Sequence, residues 1–167
     1  MNAIGLDVGT HMLVTAKEES GSITYKDQVD AFFTVESTDQ TKNMLETLGV
    51  PYIEREDKIS VLGEDARKFA NMFKSEARRP MQTGSLNKKD LDALEMLTAL
   101  FGNLLGEGNG EPLVYSCTST PLGTEMNFDY HKAQIESIIK ELGYEPKPIQ
   151  EARAIALSEL SSSRFTG

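Results

Sequence analysis

Ile4-Gly5-Leu6-Asp7-Val8-Gly9-Thr10-His11 decides how this chain is read. Ala3–Asp7 is a short apolar run ending in an acid, and Leu13–Ala16 resumes a β-rich run. Two such runs joined through a glycine predict a β-hairpin. Asp7 would stand at the end of the first strand. Gly9 would let the chain turn tightly and bring its backbone close to a ligand. Successive N–H groups from Gly9, Thr10 and His11 would form a concavity that suits an anion such as phosphate. A carboxylate beside it suits Mg²⁺, held through water because Mg²⁺ keeps part of its hydration shell. The same residues also fit a plain hairpin in which Asp and Gly serve only the turn.

Outward from this turn the β pattern continues. Ser20-Gly21-Ser22 marks a second turn, and Ser22–Tyr25 with Val29–Val35 extends an antiparallel meander over the first 35 residues. Asp39–Leu48 predicts a helix with Met44, Leu45 and Leu48 on one face, stopped by Gly49. Tyr52–Leu62 predicts a hairpin tipped by Glu56-Asp57, and Gly63–Lys74 a helix carrying Ala66, Phe69, Ala70 and Phe73. Asn87 is placed to cap a long helix, Lys88–Leu105, whose buried stripe would be Leu91, Leu94, Leu97, Leu100, Phe101 and Leu104. Leu113–Thr118 follows as a strand, then a helix over Asn127–Leu142 stopped by Gly143, an extended Glu145–Ile149, and a last helix over Glu151–Leu160. This order predicts an α/β fold on a mixed sheet, antiparallel early and parallel late.

Composition narrows the function. The chain has 167 residues, a formal net charge of −9, and one cysteine. That negative balance disfavours nucleic acid and anionic membranes as partners. It leaves ATP open, because backbone N–H groups and Mg²⁺ supply positive field locally. Cys117 lies in an apolar run and reads as a small buried hydrophobe. A lone cysteine builds no internal disulfide, so a reducing, cytoplasmic setting is expected. No apolar run reaches membrane-spanning length, the start does not read as a signal peptide, and no basic amphipathic helix opens the chain.

Ile-Gly-Leu-Asp-Val-Gly-Thr followed by a second apolar strand resembles the phosphate-1 hairpin of the superfamily of actin, the seventy-kilodalton heat-shock chaperones and the sugar kinases. Three later segments strengthen the resemblance. Val61-Leu62-Gly63-Glu64-Asp65-Ala66 resembles the V-G-E-x-A helix start of the MreB and chaperone branches. Arg79-Pro80-Met81-Gln82-Thr83-Gly84 with Leu86 is similar to the R-P-M-x-x-G-x-I segment of bacterial MreB. Leu113–Pro121, the following helix, and Pro148-Ile149-Gln150-Glu151-Ala152 resemble the strand, helix and connect-1 start found in all branches.

The resemblance implies a ribonuclease H-like actin-type ATPase domain. It would have a mixed five-stranded sheet flanked by helices and a small inserted subdomain over roughly residues 36–86. Asp7 would organise Mg²⁺, and Gly9, Thr10 and His11 would hold ATP or ADP phosphates. Glu151 would orient the attacking water, because phosphoryl transfer is mostly positioning and electrostatics. A carboxylate opening a helix is also favoured by the helix dipole alone. Val14 stands where actin carries a phosphate-binding Lys. The chaperones carry a catalytic Lys in the region of the Lys74–Arg79 cluster, where neither Arg78 nor Arg79 is assigned a catalytic role, and Arg153 replaces the small residue or Pro common after Glu151.

The family has two such halves. The chain ends at Phe165-Thr166-Gly167, where a second half with phosphate-2 would begin, so this is expected to be the N-terminal half of the site. ATP hydrolysis is expected of the full-length protein and not of this half alone. The Arg79–Gly84 segment leans toward MreB and hence toward a cytoskeletal homo-polymer or homo-oligomer. A non-enzymatic assembly module and a chaperone-like ATPase domain stay open as alternatives.

Overall fold

The computed structural model describes residues 4–117 and 129–161. The elements run β1 (Ile4–Val8), β2 (Met12–Glu19), β3 (Ser22–Val29), β4 (Phe32–Glu36), α1 (Asp39–Leu48), β5 (Tyr52–Arg55), β6 (Lys58–Leu62) and α2 (Gly63–Met72). They continue as β7 (Met81–Gln82), β8 (Ser85–Leu86), α3 (Ala93–Leu105), β9 (Pro112–Cys117), α4 (Asp129–Glu141), β10 (Glu145–Gln150) and α5 (Glu151–Ser161). The chain divides into two compact units. One comprises Met1–Val8, Val14–Tyr25 and Glu107–Gly167; the other comprises Gly9–Leu13 and Lys26–Gly106. The second unit contains the range 36–86 and extends past it on both sides.

The main sheet has five strands in the order β10-β9-β1-β2-β3. β1 and β10 both pair with β9 in parallel, as Leu6↔Tyr115 and Pro148↔Tyr115 show. β1, β2 and β3 follow one another across short turns, which only antiparallel neighbours allow. The expected mixed five-stranded sheet is therefore present. In the first unit, Ile4, Leu6 and Leu113 are buried on the strands and Ile135, Ile138 and Ile139 on α4. Tyr115 is fully buried, and its hydroxyl donates to Glu136 of α4 at 2.8 Å. Gly143 has φ 88°, and a Cβ there would lie 2.5 Å from the Gly108 carbonyl oxygen, so the α4–β10 corner needs glycine.

In the second unit, β4, β6 and β5 form an antiparallel sheet packed by α1 and α2 around Val29, Ala31, Leu45, Ile59, Val61, Ala66 and Phe69. Val29–Val35, read from sequence as one extended run, is broken at Asp30-Ala31. Val29 ends β3, and β4 restarts at Phe32 in a different sheet. An aspartate buried at the break, where its own N–H bonds outside either ladder, gives the physical reason.

α1 and its Gly49 stop stand as expected, but only Leu45 of the proposed face is buried, and Leu48 is 63% exposed. Thr38 caps α1 by accepting the Thr41 N–H at 3.1 Å. The helix expected over Lys88–Leu105 begins at Ala93 instead. Asn87 makes a local turn, its Oδ1 accepting the Lys89 N–H, while Asp90 and Asp92 pair with Arg78. These acids hold the chain in turns, which leaves Leu91 97% exposed. Leu97, Leu100, Phe101 and Leu104 are buried as expected. α4 is described from Asp129, so Asn127 lies outside the described residues, as do Thr118–Pro121 and the tail from Ser162. No helix among the described residues is long and apolar enough to cross a membrane.

Candidate functional site

In β1 the alternation is strict: Ile4, Leu6 and Val8 are buried and Asp7 is exposed. That period of two lifts the Asp7 carboxylate off the core face at the last positions of the strand. Ser116 of β9 holds it there. The Ser116 hydroxyl donates to Asp7 Oδ1 at 2.6 Å and accepts the Val8 N–H at 2.9 Å. Sequence reasoning missed Ser116, because nothing within β9 marks which of its residues will lie beside Asp7. Only the parallel register, Leu6↔Tyr115, sets that.

Glu151 opens α5 directly after β10, whose Gln150 lies in register with Cys117. Glu151 is exposed. β1, β9 and β10 run in parallel, so Asp7 and Glu151 stand at the same, carboxyl-terminal edge of the sheet, on either side of β9. Ligands of open α/β sheets bind outside that edge. Cys117, expected to be buried, is half-buried, and its thiol donates to the Ile149 carbonyl at 3.3 Å. Burial pushes the thiol up; Lys132 opposes that, and the Glu151 and Glu136 carboxylates add to it. His131, expected at the surface, is half-buried, and that burial lowers its pKa.

Gly9, Thr10 and His11 belong to the second unit. The Gly9 N–H donates to the Met12 carbonyl at 3.1 Å, and a Cβ on Gly9 would lie 2.6 Å from that oxygen. The position therefore demands glycine. Of the three amides expected to face a phosphate, the turn itself takes Gly9's; the Thr10 and His11 N–H groups make no hydrogen bond among the described residues. The Thr10 hydroxyl accepts the Gly84 N–H at 3.1 Å, and the His11 carbonyl accepts the Asp30 N–H at 3.0 Å. The His11 side chain is exposed.

Gly84 lies in the two-residue turn of the β7–β8 hairpin, where Thr83 and Gly84 both have positive φ, 49° and 76°. That is the turn whose twist matches a hairpin, usually built with Asn-Gly. A β-branched residue with positive φ is strained there. The R-P-M-x-x-G segment of the sequence is thus the hairpin that the Gly9–His11 turn bonds.

Among the described residues, no group of three or more His, Cys, Asp or Glu side chains gathers into a metal-holding cluster. Asp7 alone, with one oxygen tied to Ser116, suits a cation that keeps its waters, as Mg²⁺ does. A groove of about 550 Å³ in the second unit is lined by Arg67, Arg78, Arg79, Gln82, Asn87 and others, and includes none of Asp7, Gly9–His11 or Glu151.

The family model described as Volactin matches residues 1–167. The chain belongs to the Volactin family. No curated protein matches it. Among solved structures, this Volactin chain is similar to MreB5 of Spiroplasma citri bound to ADP, with a TM-score of 0.56 and 18% identity. That match covers 93% of this chain and 40% of MreB5, so the chain spans less than half the length of that neighbour. AlfA from the B. subtilis plasmid pLS32, solved as a filament, matches with a TM-score of 0.48 and 11% identity over 90% of this chain and 56% of AlfA. The MreB5 likeness establishes the actin-like fold of the Volactin chain, in agreement with the resemblance read from its motifs.

Proposed function

We propose that this Volactin chain is the phosphate-1 half of an actin-like nucleotide-binding site, and that the intact protein holds ATP or ADP with Mg²⁺ between this half and a second one. One observation carries the reading: Asp7 and Glu151 stand on either side of β9 at the carboxyl edge of parallel strands. Asp7 organises the hydrated Mg²⁺, the amides of Thr10 and His11 meet phosphate oxygens, and Glu151 orients the attacking water. Gly9 shapes the turn. The ADP bound by MreB5 supports nucleotide as the ligand class. Ile155, Leu157 and Leu160 of α5 are exposed apolar side chains, which a second half would shield from water.

The intact protein then hydrolyses ATP, with the change of interdomain angle driving assembly into a homo-polymer in the cytoplasm. The test is phosphate release and equilibrium binding of Mg·ATP by the full-length protein. Asp7→Ala should weaken binding, and Glu151→Ala should slow hydrolysis with less effect on affinity. Absence of nucleotide binding by the full-length protein would sink the proposal. Pelleting that depends on ATP and protein concentration tests the polymer.

A further inference from the structure

Asp30 is fully buried in the second unit, at the break between β3 and β4. Its N–H donates to the His11 carbonyl at 3.0 Å. Its Oδ2 accepts the Met81 N–H at 3.2 Å. Its Oδ1 is buried with no hydrogen-bond partner. The Thr10 hydroxyl meets Gly84 from the same β7–β8 hairpin. Turn and hairpin are therefore stitched twice, once directly and once through a carboxyl that is only half satisfied.

We propose that Asp30 is a positioning residue for the phosphate turn, a buried carboxyl whose charge state links nucleotide binding at Thr10 and His11 to the hold of the Met81–Leu86 hairpin. This rests on the phosphate reading above. An ionised buried carboxylate with an unpaired oxygen is costly, and taking up a proton relieves it. Burial raises the Asp30 pKa from 3.8 to about 7, against the Met81 N–H and the Arg79 charge, which lower it.

Among the described residues, the charged and titratable groups around it are few. Arg79 acts from the segment before β7, Arg78 of that segment is committed to Asp90 and Asp92, and His11 lends the turn's carbonyl while its imidazole is exposed. Phosphate arriving at the turn brings negative charge toward Asp30, whose backbone N–H bonds the turn's His11 carbonyl. Like charge disfavours the anion, so binding draws a proton onto Asp30, and by linkage a lower pH tightens binding.

The experiment compares ADP affinity of the full-length protein and its Asp30→Asn variant at pH 6 and pH 8. Asn keeps an acceptor for Met81 and has no charge to lose. The nucleotide's own titration is common to both proteins and cancels in the ratio of their affinities. Wild type should tighten about three- to tenfold more than the variant between pH 8 and pH 6. A ratio that stays constant with pH overturns the proposal. If neither protein binds ADP at any pH, the phosphate reading has failed, and this proposal falls with it.

A measurement on wild type alone covers a variant that does not fold. The carboxyl carbon-13 shift of Asp30, followed against pH, should show its pKa rise when ADP binds. An unchanged titration would also overturn the proposal.

Discussion

The Thr10 hydroxyl accepts the Gly84 N–H at 3.1 Å, joining residues 74 positions apart in the chain. Removing that oxygen leaves a part-buried amide without its acceptor, which costs about 1–3 kcal/mol. Thr10→Ala should therefore lower unfolding stability by about that amount. Thr10→Ser, which keeps the hydroxyl, should stay close to wild type. Urea or thermal denaturation of the two variants checks this, and equal losses would show that the methyl group, not the bond, matters.

Ser116 serves Asp7 and the Val8 N–H at once. Ser116→Ala should cost about 1 kcal/mol of stability for the lost bonds. In the full-length protein it should also weaken Mg²⁺-dependent nucleotide binding more than Mg²⁺-independent binding, because the carboxylate loses its orienting donor. A titration with and without Mg²⁺ reads the difference.

At Gly9 a Cβ would press on the Met12 carbonyl oxygen. The obstacle is backbone, so the turn itself must shift. Gly9→Ala should abolish or strongly weaken nucleotide binding by the full-length protein. The first unit's buried positions, such as Leu113 and Ile139, do not touch this change and should keep their amide protection in hydrogen exchange.

Tyr115 is buried with its hydroxyl on Glu136, and burial pushes its phenol far above the ordinary range, with Glu136 reinforcing that. It therefore stays neutral throughout the working pH range. Tyr115→Phe should cost about 1 kcal/mol and leave the fold unchanged. A loss above about 3 kcal/mol on denaturant unfolding would mean that the bond anchors α4 more strongly than a single hydrogen bond does.

Asp30 gives stability a pH dependence with a definite sign. Its pKa is about 7 in the folded chain, against an ordinary 3.8. The folded state binds the proton more tightly, so the stability this gives is fully present below pH ~4. It falls as pH rises to about 7 and is flat above that, at up to about 1.4 kcal/mol per pH unit crossed. Asp30→Asn should remove this part of the slope and be relatively more stable at pH 8. Unfolding curves at pH 5 and pH 8 measure it.

Much of the local structure was legible in the sequence. The Asp7–His11 turn, the Glu56-Asp57 hairpin, α1 with its Gly49 stop, and Glu151 at a helix start are short-range patterns, set by periodicity, glycine and capping. Helix α3 starts later than its period suggests: Leu91 and Leu94 fit that period, but Asp90 and Asp92 turn the chain toward Arg78. Nothing local announces that pairing.

Read alone, the residues were enough for the α/β class, the glycine turn after Asp7 and the helix start at Glu151. Each of these depends on neighbours a few positions away. That Ser116 holds Asp7, that Thr10 meets Gly84, and that Asp30 is buried with one oxygen unpaired came from the folded chain alone. Those pairings depend on strand register and on which sheet each strand joins. Both are fixed by packing across the whole chain, because a single step of register would turn every side chain of a strand to the opposite face.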